Sequence, residues 1–250
     1  MNEALLQAVL QLGDDSLVLS QRLCEWSGHA PTIEVDLSLS NLALDLLGQA
    51  TLLLDYAGEI EGQGRTADRL AFHRNAEAFR NSLLVEQPNG DFAHTVARQF
   101  LFSTYSAALF GHLTRSRDAR LAQIAAKAIK EVRYHASFAR DWIVRLGDGT
   151  DESRARMIDG LEWMARFTGD LFAWGDGSQA LVAEGVLPAP NLIREEFDSA
   201  VEAALAQADL VLPKAGRPIT GGRAGRHSEH LSPMLAIMQV LPRAHPEAVW

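Results

Sequence analysis

The chain has 250 residues, 47% of them apolar, and a formal net charge of −9. That apolar share supports one sizeable buried core, whereas the acidic balance excludes a nucleic-acid partner, which would need a concentrated basic face to neutralise phosphates. The single cysteine, Cys24, excludes an internal disulfide and fits a reducing compartment.

The N-terminal string M-N-E-A-L-L-Q lacks the basic stretch and long apolar core of a signal peptide. The longest uncharged run, Gln99 to Thr114, is shorter than the ~20 residues a membrane span requires. A soluble, cytoplasmic protein is therefore expected. Taken in order, the first helix is predicted over Glu3 to Trp26, with Leu5, Leu6, Val9, Leu12, Leu17, Leu19 and Leu23 as its apolar set and Gly13 as a candidate break. Gly28 and Pro31 end it. A second helix over Ile33 to Ile60 is leucine-rich on nearly every face, so burial on several sides is expected. Asp68 to Asn81 reads as a shorter, exposed helix. Pro88-Asn89-Gly90 forms a turn, and Asp91 is a ready N-cap for a third long helix reaching Leu113. Arg120 to Leu146 comes next, its apolar residues three and four apart. A fifth helix is predicted over Glu152 to Trp174 and a sixth over Asn191 to Ala208. Leu212 to Gly225 is loop-like, and Leu231 to Leu241 closes the chain as a short helix. No alternation persists long enough for a strand. The expected architecture is all-α and single-domain, with a four-helix core over about 3–147 and additional helices over about 152–250.

A carboxylate-bridged iron pair in such a bundle needs a Glu from each of two helices and Glu-x-x-His from each of the other two. The third helix, Phe92 to Arg117, contains no Asp or Glu. The second offers Asp45, then Gly48 and Gln49 where a Glu-x-x-His pair would stand. In the fourth, Lys127, Glu131 and His135 succeed one another at four-residue intervals as a polar stripe, and Val132 occupies the position three before His135. The expected reading is a structural polar network in which Lys127 balances a buried Glu131.

Four other constellations remain. Asp91-x-x-His94 reads as a helix cap with a surface histidine, and His227-Ser228-Glu229-His230 as the lead-in to the last helix rather than a metal cluster. Cys24 is expected in the core. Lys214, Arg217, Arg223 and Arg226 gather in a Gly-rich stretch, T-G-G-R-A-G-R, open to two readings: a solvated surface loop, or a contact for an anion or an acidic partner.

Several long strings resemble one family. They are L-G-D-x-x-L-V-L-S-Q-R-L-x-E-W-x-G-H-A-P from Leu12, N-L-A-L-D-L-L-G-Q-A from Asn41, L-L-V-E-Q-P-N-G-D-F-A from Leu83, A-K-A-I-K-E-V-R-Y-H from Ala126, and T-G-G-R-x-G-x-H-S-E-H-L from Thr220. Together they span nearly the whole chain and resemble the C subunits of bacterial phenylacetyl-CoA epoxidases. The resemblance implies a ferritin-like helical bundle with no cofactor of its own, supporting a sister subunit that carries a di-iron centre. It further implies a heterodimer with that catalytic subunit, reductase and small accessory subunits as further partners, and phenylacetyl-CoA as the substrate of the whole complex. The sister subunits carry D-E-A-G-H on the second core helix and K-E-E-S-F-H on the fourth. Here D-L-L-G-Q places Leu46 and Gln49 at ligand positions, and K-E-V-R-Y-H keeps His135 but has Val132 in place of a ligand Glu. The alternatives are a CoA-ester-binding accessory subunit and a free-standing di-iron oxygenase.

Overall fold

Most of the long helices start where a short polar side chain can accept a free backbone N–H. Thr32 accepts from Val35 at the head of α2 (Ile33–Glu61), Asp91 from His94 at α5 (Phe92–Leu113) and Asp118 from Leu121 at α6 (Ala119–Gly147). Thr150 and Ser153 form a reciprocal capping box on α7 (Asp151–Ala165). Gly62 ends α2 in the left-handed conformation, φ 69°. The computed structural model describes residues 2–213 and 218–248, and every regular element among the described residues is helical. The remaining helices are α1 (Asn2–Cys24), α3 (Ala67–Phe72), α4 (Leu83–Glu86), α8 (Ser178–Ala183), α9 (Pro190–Ala206) and α10 (Leu231–Ala244).

Contacts gather the chain into two compact units. One comprises Met1–Pro88, Gly175–Ser178 and Gly221–Trp250, and the other Asn89–Trp174 and Gln179–Thr220. The final helix therefore groups with the first two, a different partition from a division near residue 147. In the first unit α1 packs along α2, α3 packs on α2 and α10 on α3. In the second, α5 is the central helix, contacting α6, α7 and α9. Its residues from Thr95 to Ser106 are buried without interruption.

Four expectations need correction. Gly13 does not break α1: a Cβ there would lie 2.9 Å from Leu54 Cδ2, so the glycine marks where α1 and α2 approach most closely. The predicted exposed helix over 68–81 stops at Phe72. Beyond it come a 3-10 turn, Ala76–Ala78, and then irregular backbone in which Phe79, Asn81 and Ser82 are fully buried. The reason is that this backbone bonds to side chains on α1 in place of its own helical ladder. The fifth helix ends at Ala165, where Thr168 Oγ1 donates to Ala165 O and Ile219 N–H donates to Arg166 O (2.8 and 2.9 Å). A 3-10 segment, Thr168–Phe172, follows.

The last correction concerns α2, which is not buried all round. Its inner side is closed by Leu39, Leu42, Leu46, Leu53 and Leu54, while Ile33, Leu37, Leu44 and Leu47 are 77, 61, 65 and 43% exposed. By length and composition alone α2 could cross a membrane, with a window of mean hydropathy 1.4. Its buried side packs along α1, as a core helix does.

Gly58, near the end of α2, is a second close approach, since a Cβ there would meet Arg65 O at 2.1 Å. Gly58→Ala is expected to destabilise by about 1–3 kcal/mol through overpacking, despite alanine's better helix propensity. A thermal midpoint equal to or above that of the parent chain would show that the backbone at Arg65 yields freely.

Candidate functional site

Two adjacent carboxylates on α1, Asp14 and Asp15, are 0 and 2% exposed inside an otherwise leucine-rich helix. Ionised groups at that depth require partners. Asp14 holds the guanidinium of Arg74 in a two-pronged contact and accepts the Arg80 N–H at 2.8 Å. Arg74 also donates to Leu70 O and lies over the Phe79 ring at 4.3 Å. Asp15 accepts from Arg223 Nη2 and from the Ser82 N–H, each at 2.7 Å. Burial pushes the Asp15 carboxyl above its ordinary pKa, the Arg223 charge and hydrogen bond and the Ser82 N–H act against that rise, and Asp14 adds to it.

A third buried carboxylate completes the network. Glu86, at 0% exposure, accepts from Asn81 Nδ2 at 2.8 Å and from the Ser228 N–H at 2.6 Å. Its Oε2 lies 2.7 Å from His227 Nδ1. His227 Nε2 is 3.1 Å from Phe79 O, and because a carbonyl only accepts, Nε2 carries hydrogen. One further proton therefore lies between Nδ1 and Oε2. Arg22 donates to Glu86 O through Nε and Nη2 (3.1 and 2.7 Å) and to His230 O at 3.1 Å. Gly225 makes the turn at φ 74°, where a Cβ would lie 2.4 Å from Glu77 O. One ridge of α1 thus fixes both the irregular 73–88 segment and the return of the chain at 221–231. Each of these three buried carboxylates is matched by groups of this same chain.

Among the described residues, no three His, Cys, Asp or Glu side chains cluster to hold a metal ion. In the H-S-E-H string, His227 and Ser228 serve Glu86, while Glu229 is exposed. Of the four cations of the Gly-rich stretch, two lie among the described residues. Arg223 is 8% exposed and spent on Asp15, Arg226 is exposed, and Lys214 and Arg217 lie outside the described residues. Cys24 is at the surface rather than in the core, and partial burial raises its thiol pKa. The N-cap reading of Asp91 holds: its Oδ1 accepts the His94 N–H at 3.0 Å and contacts His94 Nδ1 at 2.9 Å.

At the positions where the resemblance would put metal ligands, α2 buries Leu46 and Gln49, at 2 and 3% exposure. On α6, Val132 and His135 are each 2% exposed, Glu131 is half-buried and Lys127 is exposed. The expected balance of a buried Glu131 by Lys127 is therefore corrected. Four residues advance a helix by about 400°, so a stripe at that interval drifts ~40° per step and runs from solvent at Lys127 to the interior at His135. Neither Leu46 nor Val132 has an atom that could ligate iron, and α5 carries no Asp or Glu. Sequence reading missed the Asp14, Asp15 and Glu86 network. Its signal was two adjacent acids inside a leucine-rich helix.

Over residues 1–250 the chain matches the family model described as phenylacetic acid catabolic protein. It is 50% identical over 241 residues to the C subunit of the 1,2-phenylacetyl-CoA epoxidase of Escherichia coli (strain K12), a match covering 96% of this chain and 97% of that protein.

Replacing Arg223 by Met leaves Asp15 buried and uncompensated, and is expected to cost about 3–5 kcal/mol at neutral pH. Because the Asp15 pKa is already raised, the penalty belongs to its ionised form. Loss of the Arg223 charge and hydrogen bond raises that pKa further in the variant, so the penalty should shrink as pH falls through the variant's value, when the carboxyl takes a proton, and return as pH rises. Denaturant melts from mildly acidic to mildly alkaline pH test this; a penalty constant with pH would place the cost elsewhere. Asp91→Ala should cost about 1 kcal/mol as a lost N-cap. Burial alone would raise the Asp91 pKa, but the His94 hydrogen bonds and nearby charges outweigh it and depress it. The cap's contribution is therefore present above the ordinary carboxylate range and lost as pH falls through the depressed value. Equal stability of parent and variant at neutral pH would refute it.

Proposed function

Because the chain belongs to the phenylacetic acid catabolic protein family, we propose that it is the non-catalytic structural subunit of a multicomponent phenylacetyl-CoA 1,2-epoxidase. In this reading it supports a separate catalytic subunit that carries the di-iron centre, and it works in the cytoplasm. The relative from Escherichia coli is named as the C subunit of such an epoxidase. The observation that carries the reading is the long central helix α5, which passes through the interior of its unit with no Asp or Glu along its length. A helix without Asp or Glu cannot supply the carboxylate that each helix of such a bundle gives to an iron pair.

The contribution of this chain would then be binding energy. Ile33, Leu37, Leu44 and Leu47 form one stripe on α2, spanning roughly 20 Å at ~1.5 Å per residue. Large apolar groups exposed contiguously are characteristic of surfaces that another protein covers. The structural reading assigns this stripe to the catalytic subunit, with reductase and small accessory subunits as further members and phenylacetyl-CoA bound at the level of the complex.

Co-expression with the catalytic subunit in iron-supplemented medium tests the reading. The two chains should co-migrate on a sizing column with iron in the pair and none in this chain alone. Leu37→Glu combined with Leu44→Glu should separate them while leaving the isolated chain folded. Stoichiometric iron in the isolated chain would overturn the structural role, and separate migration of the parent chains would overturn the partnership.

A further inference from the structure

The acidic chain carries one strongly basic helix. Across α6 there are six basic residues, Arg120, Lys127, Lys130, Arg133, Arg140 and Arg145, against two acidic ones, Glu131 and Asp141, a net +4 within a chain of net −9. Part of this charge borders a groove of about 460 Å³ within the second unit, where α6 and α9 flank α5. Its surface is built from small apolar side chains on all three helices: Ala107 and Ala108 of α5, Ala136 of α6, and Ala200 and Ala203 of α9. The arginines stand on the rim. Arg133 is exposed and makes no ion pair among the described residues, while Arg140 is exposed and bonded to its neighbour Asp141 at 2.8 Å. Glu196, the acid bordering the groove, is engaged by His112 Nε2 at 2.7 Å.

The spacing decides what such a groove would take. Arg133 and Arg140 are seven residues apart, two turns of helix, or ~10.5 Å along α6. Carboxylates at i and i+7 on a helix laid alongside would meet both. The alanines permit the close approach of ~8–10 Å between axes that packed helices adopt, and would receive the apolar side of the same helix. The cations lie at the rim, where they neutralise an elongated surface, rather than at the floor, where they would fix a compact ligand. We propose that this groove docks an acidic amphipathic helix from another subunit of the assembly. The proposal rests on the subunit reading above and adds a second contact, distinct from the α2 stripe, in which charge selects the partner.

The test uses the co-expressed complex with the photo-crosslinker p-benzoylphenylalanine introduced in place of Ala203, and separately in place of Leu44 on α2. Cross-linked peptides are identified by mass spectrometry. The Ala203 probe is expected to capture a helical segment of net negative charge from another subunit. Arg133→Glu combined with Arg140→Glu should cut the yield about tenfold, as like charges brought together do, whereas Arg133→Lys combined with Arg140→Lys should retain it. Capture of a neutral or basic segment, or no capture at Ala203 while the Leu44 probe still cross-links, would overturn the groove proposal and leave the subunit reading intact. Failure of both probes, with the chain purifying alone, would overturn both.

Discussion

Three carboxylates without access to water govern the first unit. Asp14, Asp15 and Glu86 are buried to 2% exposure or less, and each would be untenable without a positive or proton-donating partner. The partners come from segments that carry little regular structure: Arg74 from beyond α3, Arg223 from the Gly-rich return, and His227 just before α10. The irregular backbone is held because its N–H groups and guanidinium groups satisfy the acids, and the acids are held because those groups arrive. Such a network adds little net stability over an apolar core of the same shape. What it supplies is uniqueness, since a buried ion pair formed with the wrong partner leaves two charges stranded.

The second unit solves its interior differently. Its central helix α5 carries no carboxylate, and its buried apolar side chains include Phe100, Leu101 and Leu109. Aromatic contacts extend this packing, with Tyr105 and Phe172 edge to face at 5.5 Å and Phe172 against Phe197 at 5.4 Å. The contrast is one of chemistry: the first unit is held by buried charge, the second by apolar and aromatic packing.

The sequence is most legible where local chemistry is decisive. Asp91 marks a helix start because a short oxygen-bearing side chain has one good use before an apolar run. The absence of ligand carboxylates can be read directly, since a missing residue type needs no geometry. Legibility fails where partners are distant in sequence. Nothing local announces that Arg223 belongs to Asp15 or His227 to Glu86, so the Gly-rich stretch looks like a surface loop offering cations to an outside anion. The segment after Phe72 looks helical because its own composition permits a helix, and the long-range bonds to α1 override that preference. Lys127 misleads through a periodicity close to the helical turn but not equal to it.

The bond between Asp15 and Arg223 joins residues 208 apart in the chain. Synthesis proceeds from the N-terminus, so α1 emerges with its two acids well before the segment that carries Arg223. Until Arg223 and His227 leave the ribosome, Asp15 and Glu86 lack these partners. A chain released short of that return would hold buried charge with no counterpart and be recognisably unfinished. The network thus ties the ordering of α1 to a segment made much later, so the two are coupled in folding as they are in structure.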